Sequence, residues 1–258
     1  MTILFHEIVY GPVHSRRMGS SLGVNLLPYD GKLCSFDCIY CECGFNKDFR
    51  TKTKLPDRKL VKAALEDKLK SLLNEGVKLD VITFAGNGEP TIHPEFGGII
   101  ADTIEMRNRY YPETGISVLS NGMHISKKAV FEALRKVDNP ILKLDSAFDE
   151  TVRLIDRPNA PSYTVAKQAA LYKKFQGNFI LQTMFLKGEF EGEAIDNTTE
   201  KEISAWLELV RALQPREVMI YTIDRETPAS GLEKVPLAVL QNIATRVIES
   251  GIKTNVAG

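Results

Sequence analysis

Every cysteine of the chain lies in one short stretch, CSFDCIYCECG, which begins at Cys34 and ends at Gly44. Cys34, Cys38 and Cys41 have the spacing C-x3-C-x2-C, and Cys43 follows the third after a single residue. Thiolates bind zinc and iron–sulfur clusters, and two thiols can also join as a disulfide. The stretch therefore has three interpretations: a disulfide, a structural zinc site or an iron–sulfur cluster.

The spacing favours the cluster. Disulfides are rare in the cytoplasm, and a structural zinc site normally draws ligand pairs from two segments, of which only one exists here. Three cysteines on one loop can reach three irons of a cubane and leave the fourth iron open. Cys43 is an alternative fourth ligand, but its closeness to Cys41 makes it hard for both to reach different irons. We expect Cys34, Cys38 and Cys41 to be the ligands and Cys43 to be spare.

Composition sets the broad class of the protein. The chain has 258 residues, and its 33 basic and 33 acidic residues cancel, so it lacks the global positive charge of a nucleic-acid-binding protein. Its start, MTILFHEIVYGP, is a poor signal peptide. No run of about eighteen apolar residues is present that would cross a membrane. We expect a cytoplasmic protein with one domain over 1–258 and no membrane contact.

Apolar strand-like runs alternate with longer amphipathic segments along the chain. Strands are predicted at 21–27, 80–86, 115–122, 141–145, 179–186 and 217–223. Helices are predicted at 56–76, 96–110, 126–137, 162–175, 199–213 and 237–250. This alternation predicts an α/β fold with a parallel sheet, either a partial (β/α)6 barrel or a doubly wound open sheet. In both cases the site lies at the C-terminal ends of the strands.

The cysteine stretch resembles the signature loop of the radical S-adenosylmethionine (radical SAM) superfamily, C-x3-C-x-Φ-C, with Tyr40 as the aromatic residue. The run from Gly11 onward is similar to an uncharacterised bacterial iron–sulfur oxidoreductase group, distantly similar to the wyosine-forming tRNA enzymes. The resemblance covers about 11–225 and implies a partial (β/α)6 barrel as a single radical SAM domain, with the helix at 237–250 beyond that core.

The resemblance also implies cofactors and chemistry. Cys34, Cys38 and Cys41 become metal ligands and catalytic residues that hold a [4Fe-4S] cluster, whose open iron binds S-adenosylmethionine. In that family one electron cleaves the sulfonium, and the resulting 5′-deoxyadenosyl radical abstracts hydrogen from a substrate. A reducing partner such as flavodoxin or ferredoxin is implied as well.

Polar residues at the predicted strand ends are the candidate cofactor contacts. Gly88, Glu89 and Pro90 resemble the family's Gly-Gly-Glu-Pro motif, in which the carboxylate holds the methionine ammonium, although Asn87 departs from the glycine pair. A tight β-to-α turn is the plainer interpretation. The other candidate cofactor contacts are Tyr40, Ser120, Asn121, Lys143, Asp145 and Gln182. The resemblance brings in the first three. Lys143 and Asp145 are two apart and share one face at the end of the fourth strand, where a charged pair is costly unless it lines a cavity, and Gln182 lies on the fifth strand.

The candidate substrate contacts are two arginines before the first strand, Arg16 and Arg17, and two residues after the sixth, Tyr221 and Arg225. Arg225 has an alternative role as the surface ion-pair partner of Asp224 or Glu226. The sequence thus predicts an enzyme that cleaves S-adenosylmethionine and acts on a small molecule, a peptide or RNA. Two alternatives remain: an iron–sulfur electron-transfer or binding module that does not cleave it, and a tRNA-modifying radical SAM enzyme.

Overall fold

The computed structural model describes residues 3–15, 18–48 and 52–258. Within these ranges the chain divides into two compact units. The first unit comprises the described residues of 4–34 and 46–140, and the second comprises Ile3, 35–45 and 141–258. The boundary between Cys34 and Ser35 means that the cysteine stretch contributes to both units.

The first unit is a sheet of four strands with helices between them. Its elements are β1 (Val9–Ser15), β2 (Gly19–Val24), α1 (Arg58–Asn74), β3 (Val81–Phe84), α2 (Phe96–Tyr110), β4 (Gly115–Ser120) and α3 (Lys128–Leu134). Strand β1 is antiparallel to β2, whereas β2, β3 and β4 are parallel neighbours. All four residues of β3 are buried, as expected of a parallel strand that is covered on both faces.

The second unit contains a parallel sheet and a small antiparallel one. Its elements are β5 (Asn139–Lys143, which begins at the end of the first unit), α4 (Asp149–Ile155), α5 (Val165–Lys173), β6 (Ile180–Met184), β7 (Leu186–Phe190), β8 (Glu193–Asp196), α6 (Glu200–Leu213), β9 (Glu217–Tyr221), β10 (Leu232–Lys234), α7 (Leu237–Ile248) and β11 (Lys253–Ala257). Strands β5, β6, β9 and β11 are parallel in that order. Strand β7 pairs with β8 and β10 in the small sheet.

Helices are placed by apolar stripes and by capping side chains. The buried residues of α6 are Ile203, Trp206, Leu207, Val210 and Leu213, a 3–4 residue spacing that puts them on one face. Trp206 packs edge-to-face on Phe185, with ring centroids 5.3 Å apart, and its indole donates to Thr183 Oγ1 at 3.2 Å. The side chain of Thr199 caps the start of this helix by accepting from the Glu202 amide.

The α/β class and the six parallel strands predicted from the sequence are confirmed. The six predicted helices are also present, with shorter ends at α1, α3, α5 and α7. The sequence prediction missed β1, the small sheet, α4 and β11. Gly11 and Pro12 interrupt the apolar pattern of β1, and each strand of the small sheet has at most five residues.

None of the helices in the described ranges combines the length and hydropathy needed to cross a bilayer.

We expect Thr199→Ala to lower the free energy of unfolding by about 1 kcal/mol, because it removes the N-cap acceptor of α6. Thr245→Ala is the matched control. Thr245 is exposed inside α7 and its hydroxyl donates to the Gln241 carbonyl, a bond that gives little helix stability. Urea denaturation of both variants measures the difference, and equal costs would contradict the capping role.

Candidate active site

In the first unit, the residue before Cys34 is paired with the turn that follows β3. Leu33 and Gly88 form a parallel bridge: the Leu33 amide donates to the Asn87 carbonyl at 2.8 Å, and the Glu89 amide donates to the Leu33 carbonyl at 3.1 Å. Gly88 has φ +133°, and a Cβ there would lie 2.0 Å from the Leu33 carbonyl oxygen. Glycine is therefore required for the pairing, which fixes the backbone beside the first cysteine.

Glu89 is the centre of a buried polar network at the ends of β3 and β4. Its Oε1 accepts from the Thr91 amide and hydroxyl and from the Ser120 hydroxyl, and its Oε2 accepts from the Asn121 amide at 2.7 Å. Pro90 follows it and opens a single 3₁₀ turn, which Glu89 caps. Burial raises the pKa of Glu89, and the hydrogen bonds it accepts oppose that shift. The network brings together three of the predicted residues, Glu89, Ser120 and Asn121.

Asn121 extends this network to the cysteine stretch. Its side-chain Nδ2 donates to Cys34 Sγ at 3.6 Å, while its backbone amide is held by Glu89. A hydrogen bond to sulfur favours the thiolate, the form of cysteine that binds metal. The predicted residues of the first unit therefore converge on the first cysteine.

Asn87, which departs from the family's glycine pair, has a structural role. It is fully buried, and its side chain accepts from the Phe5 amide and donates to the carbonyls of Phe5 and Pro28, each at 2.8 Å. Its backbone amide donates to Asn25 Oδ1 at 3.1 Å. The glycine before it has no space for a Cβ, which would lie 2.3 Å from the same Asn25 oxygen. The asparagine thus ties the N-terminal segment to the turn.

In the second unit, residues 35–39 pair with residues 155–159. We call residues 155–159 the clamp segment. The Asp37 amide donates to the Asp156 carbonyl at 3.0 Å and to the Arg157 carbonyl at 3.2 Å, and the Ile39 amide donates to the Ile155 carbonyl at 2.9 Å. Phe36 forms an antiparallel bridge with Pro158. Two turns follow. In the first, the Cys41 amide donates to the Cys38 carbonyl, and in the second, the Gly44 amide donates to the Cys41 carbonyl.

The ends of β5 and its neighbour strands carry a buried ionic cluster. The ammonium of Lys143 contacts Asp145 Oδ2 and the Tyr40 hydroxyl, and it lies 2.7 Å from Asp156 Oδ1. The Tyr40 hydroxyl also donates to Asp145 Oδ2, and Asp145 Oδ1 accepts from the Met184 amide at 2.9 Å. The structure therefore joins three predicted residues, Tyr40, Lys143 and Asp145, to a fourth that the sequence did not suggest, Asp156.

Burial and the neighbouring charges together shift the pKa values of Lys143 and Asp156. Burial lowers the pKa of Lys143, but Asp145 and Asp156 outweigh that effect and raise it well above the ordinary value. Burial, followed by the charge of Asp145, raises the pKa of Asp156 to about 8. The lysine thus faces two buried carboxyl groups, and burial beside Asp145 favours the protonated form of Asp156. Removal of one member of such a buried set usually costs about 3–5 kcal/mol.

Three of the remaining candidates, Gln182, Tyr221 and Arg225, lie in the second unit. Gln182 is buried in β6, in register with Lys143 and Met219, so the three side chains share one face of the sheet. Tyr221 ends β9 and is half-buried. Arg225 is exposed and pairs with Glu42 at 2.7 Å, not with Asp224 or Glu226 as the alternative from the sequence had it. Arg16 and Arg17 lie outside the described residues, so their proposed substrate contact remains a prediction.

Sequence reasoning missed Asp156 for a definable reason. It lies eleven residues after Asp145 at the end of a short helix, α4, where an aspartate is an ordinary surface residue. The one available signal is the Arg-Pro pair that follows it, which marks a helix end. Its burial at 1% exposure is a property of the tertiary structure alone.

The side chains of the cysteine stretch fit an iron–sulfur cluster. None of the four cysteines, all of them described, forms a disulfide. No group of three His, Cys, Asp or Glu side chains in the described ranges could hold one metal ion. Ligands of a cubane bind different irons and need not converge on one point. A cluster requires thiol ligands and hydrogen-bond donors to their sulfur atoms. The cysteines supply the thiols, and the side-chain amide of Asn121 donates to Cys34 Sγ.

A family model described as "Radical SAM superfamily" matches residues 30–201, about two thirds of the chain. The chain belongs to the radical SAM superfamily. The match includes the whole cysteine stretch, the turn with Glu89 and the strand ends up to Gln182. The cofactors of this superfamily are a [4Fe-4S] cluster and S-adenosylmethionine, as the sequence predicted.

Two curated proteins illustrate the relatives of this radical SAM chain. A Brachyspira hyodysenteriae protein named GTPase Obg is 30% identical over 222 residues, which are 85% of this chain but 30% of that protein. A UPF0026 protein of Synechocystis sp. is 30% identical over 224 residues, 85% of this chain and 77% of its own length. The chain therefore spans less than a third of the first relative, and the second places it among the UPF0026 proteins.

Solved structures show the same fold. A radical SAM methyltransferase from Sphaerobacter thermophilus matches 92% of this chain and 65% of its own, with a TM-score of 0.67 and 14% identity. SuiB of Streptococcus suis, solved bound to S-adenosylmethionine, matches 91% and 50%, with a TM-score of 0.64 and 16% identity. At these identities the likeness establishes the fold, and it confirms the predicted α/β class of the radical SAM type.

We expect Gly88→Ala to displace Leu33 and with it the backbone of Cys34. Gly76→Ala is the control, because Gly76 also has a positive φ, +69°, but a methyl group on its Cα would meet no atom within 4 Å. The control should cost about 1–2 kcal/mol from backbone strain alone, and Gly88→Ala should exceed it by about 2 kcal/mol or more. Urea denaturation and the iron bound per chain measure both effects, and equal values for the two variants would contradict the pairing.

Proposed function

We propose that this chain is an enzyme that cleaves S-adenosylmethionine reductively and uses the product radical to abstract hydrogen from a substrate. Cys34, Cys38 and Cys41 would hold the [4Fe-4S] cluster. When bound, the cluster supplies the electron that breaks the sulfonium bond and an open iron where S-adenosylmethionine docks. The protein's task is to position and shield these groups.

The observation that carries the proposal is the network from Glu89 to Cys34. One buried carboxylate orders the ends of two strands, Ser120 and Asn121 among them, and the same Asn121 donates to the first cysteine. A module that only relays electrons has no use for a carboxylate beside its ligand loop. Oε2 of Glu89 receives one donor and so keeps a lone pair for a cationic group, such as the ammonium of a methionine moiety.

Two residues of the second unit, Tyr40 and Gln182, are candidate contacts to the adenosyl part of S-adenosylmethionine. The ring of Tyr40 is held by its hydroxyl, so the backbone between Cys38 and Cys41 is constrained at its centre. Gln182 makes no side-chain hydrogen bond to another described residue, and its amide is suited to a polar ligand on that face of the sheet. We assign no substrate beyond a molecule with an abstractable hydrogen.

The direct test is an assay of 5′-deoxyadenosine. The protein, reconstituted with iron and sulfide without oxygen and given dithionite and S-adenosylmethionine, should release 5′-deoxyadenosine, which chromatography detects. Cys38→Ala should release none above background, because one iron loses its ligand. Cys43→Ala is the matched control in the same loop and should keep both its iron and the release of product.

Two results would overturn the proposal. A wild-type cluster that is reduced by dithionite but never yields 5′-deoxyadenosine would indicate an electron-transfer module. Loss of the cluster in Cys43→Ala would indicate ligation by four cysteines and no open iron.

A further inference from the structure

The clamp segment fixes the backbone on both sides of Cys38. The amides of Asp37 and Ile39, its two neighbours, donate to carbonyls of the clamp, and the Asn159 amide donates back to the Ser35 carbonyl at 2.9 Å. The carbonyl of Arg157 takes part through a backbone with φ +49°. The geometry of this ladder leaves the second cysteine little freedom to rotate away from its position.

The side chain of Asp156 links the clamp to the aromatic residue of the cysteine stretch. Its carboxylate is 2% exposed, and Oδ1 lies 2.7 Å from Lys143 Nζ but has no hydrogen bond of good geometry. The same ammonium contacts the Tyr40 hydroxyl and lies 4.6 Å from the centre of its ring. One buried cation therefore connects the clamp with Tyr40.

We propose that Asp156 is a positioning residue for the cysteine stretch, which acts through Lys143 on Tyr40. The inference rests on the proposed function, because it assigns the task of Asp156 to the binding of the cluster and S-adenosylmethionine. Cys38 is held by backbone bonds on either side, and Cys41 follows directly after Tyr40. The Asp156–Lys143 contact joins the clamp segment, which holds Cys38, to Tyr40, which precedes Cys41. The positions of Cys38 and Cys41 are thereby fixed relative to each other.

Such a link matters because the reaction depends on the geometry of the cluster and its ligand. A residue behind a metal ligand typically changes metal affinity or activity by about 10- to 100-fold. Asp156 is two contacts further away, behind Tyr40 and Lys143, so we expect an effect near the lower end of this range.

The test compares Asp156→Asn with Glu217→Gln. Asp156→Asn keeps the volume of the side chain and replaces the carboxyl group with an amide that cannot ionise. Glu217→Gln makes the same change on a mostly buried carboxylate of the second unit, paired with Lys253 at 2.8 Å, at the start of β9. Iron content, the electron paramagnetic resonance (EPR) spectrum of the reduced cluster and the affinity for S-adenosylmethionine are measured on reconstituted protein.

We expect Asp156→Asn to retain its iron, to bind S-adenosylmethionine about tenfold more weakly and to show a changed EPR response to its addition. Glu217→Gln should match the wild type in all three. A loss of stability alone would leave the EPR spectrum of the folded protein unchanged.

Tyr40→Phe tests the route of the effect. It removes the hydroxyl and keeps the ring, so the variant should fold, and it should show the same weaker binding. The double variant Asp156→Asn/Tyr40→Phe should lose no more affinity for S-adenosylmethionine than either single variant, because each substitution interrupts the same link. Independent effects would add. If Asp156→Asn loses its iron, the inference is tested by Tyr40→Phe alone. An affinity of Tyr40→Phe for S-adenosylmethionine equal to that of the wild type would overturn the inference.

The outcomes separate this inference from the proposed function. A wild-type cluster that does not respond to S-adenosylmethionine would overturn the proposed function. A responsive wild type with an Asp156→Asn variant that behaves like Glu217→Gln, or a double variant whose effects add, would overturn the inference and leave the proposed function standing.

Discussion

Backbone hydrogen bonds to the cysteine stretch are the constraint on which the rest of the site depends. Ordering one residue of a flexible loop costs about 1–2 kcal/mol, so a run of three ligands on an unsupported loop would be costly to hold in place. In the first unit, Leu33 pairs with the turn around Gly88. In the second, the clamp segment holds the residues around Cys38. Each unit thus supplies backbone hydrogen-bond partners for its part of the stretch.

Each unit also contains a buried charge that would be unfavourable without its neighbours. Glu89 is offset by donors alone, two hydroxyls and two amides, and Lys143 is offset by two carboxylates. In both cases the group lies at the C-terminal end of a parallel strand, where ligands bind in this class of fold. Replacing a buried ion pair with apolar residues is often neutral or stabilising, so buried pairs of this kind are weak evidence for stability.

The sequence was sufficient for the parts of the site that depend on local pattern. The cysteine spacing and the pair of Lys143 and Asp145 follow from short-range pattern, whereas the roles of Glu89 and Asn121 are implied by the family resemblance of their motifs. The clamp segment follows from neither, because it pairs with residues about 120 positions away and carries no pattern that requires it. The role of Asn87 was hidden for a similar reason: its partners Phe5 and Pro28 are distant in the sequence, and an asparagine in a glycine-rich turn is ordinary.

The asparagine in the turn has a practical consequence for handling the protein. Phe5 is bound through both its amide and its carbonyl, and its ring stacks on Tyr10 with centroids 3.9 Å apart. Trimming the chain ahead of Val9, a common step when an expression version is shortened, would strip the buried Asn87 amide of two partners. The damage would emerge at the turn beside the first cysteine, far along the chain from the cut, and would look like a defect in iron loading.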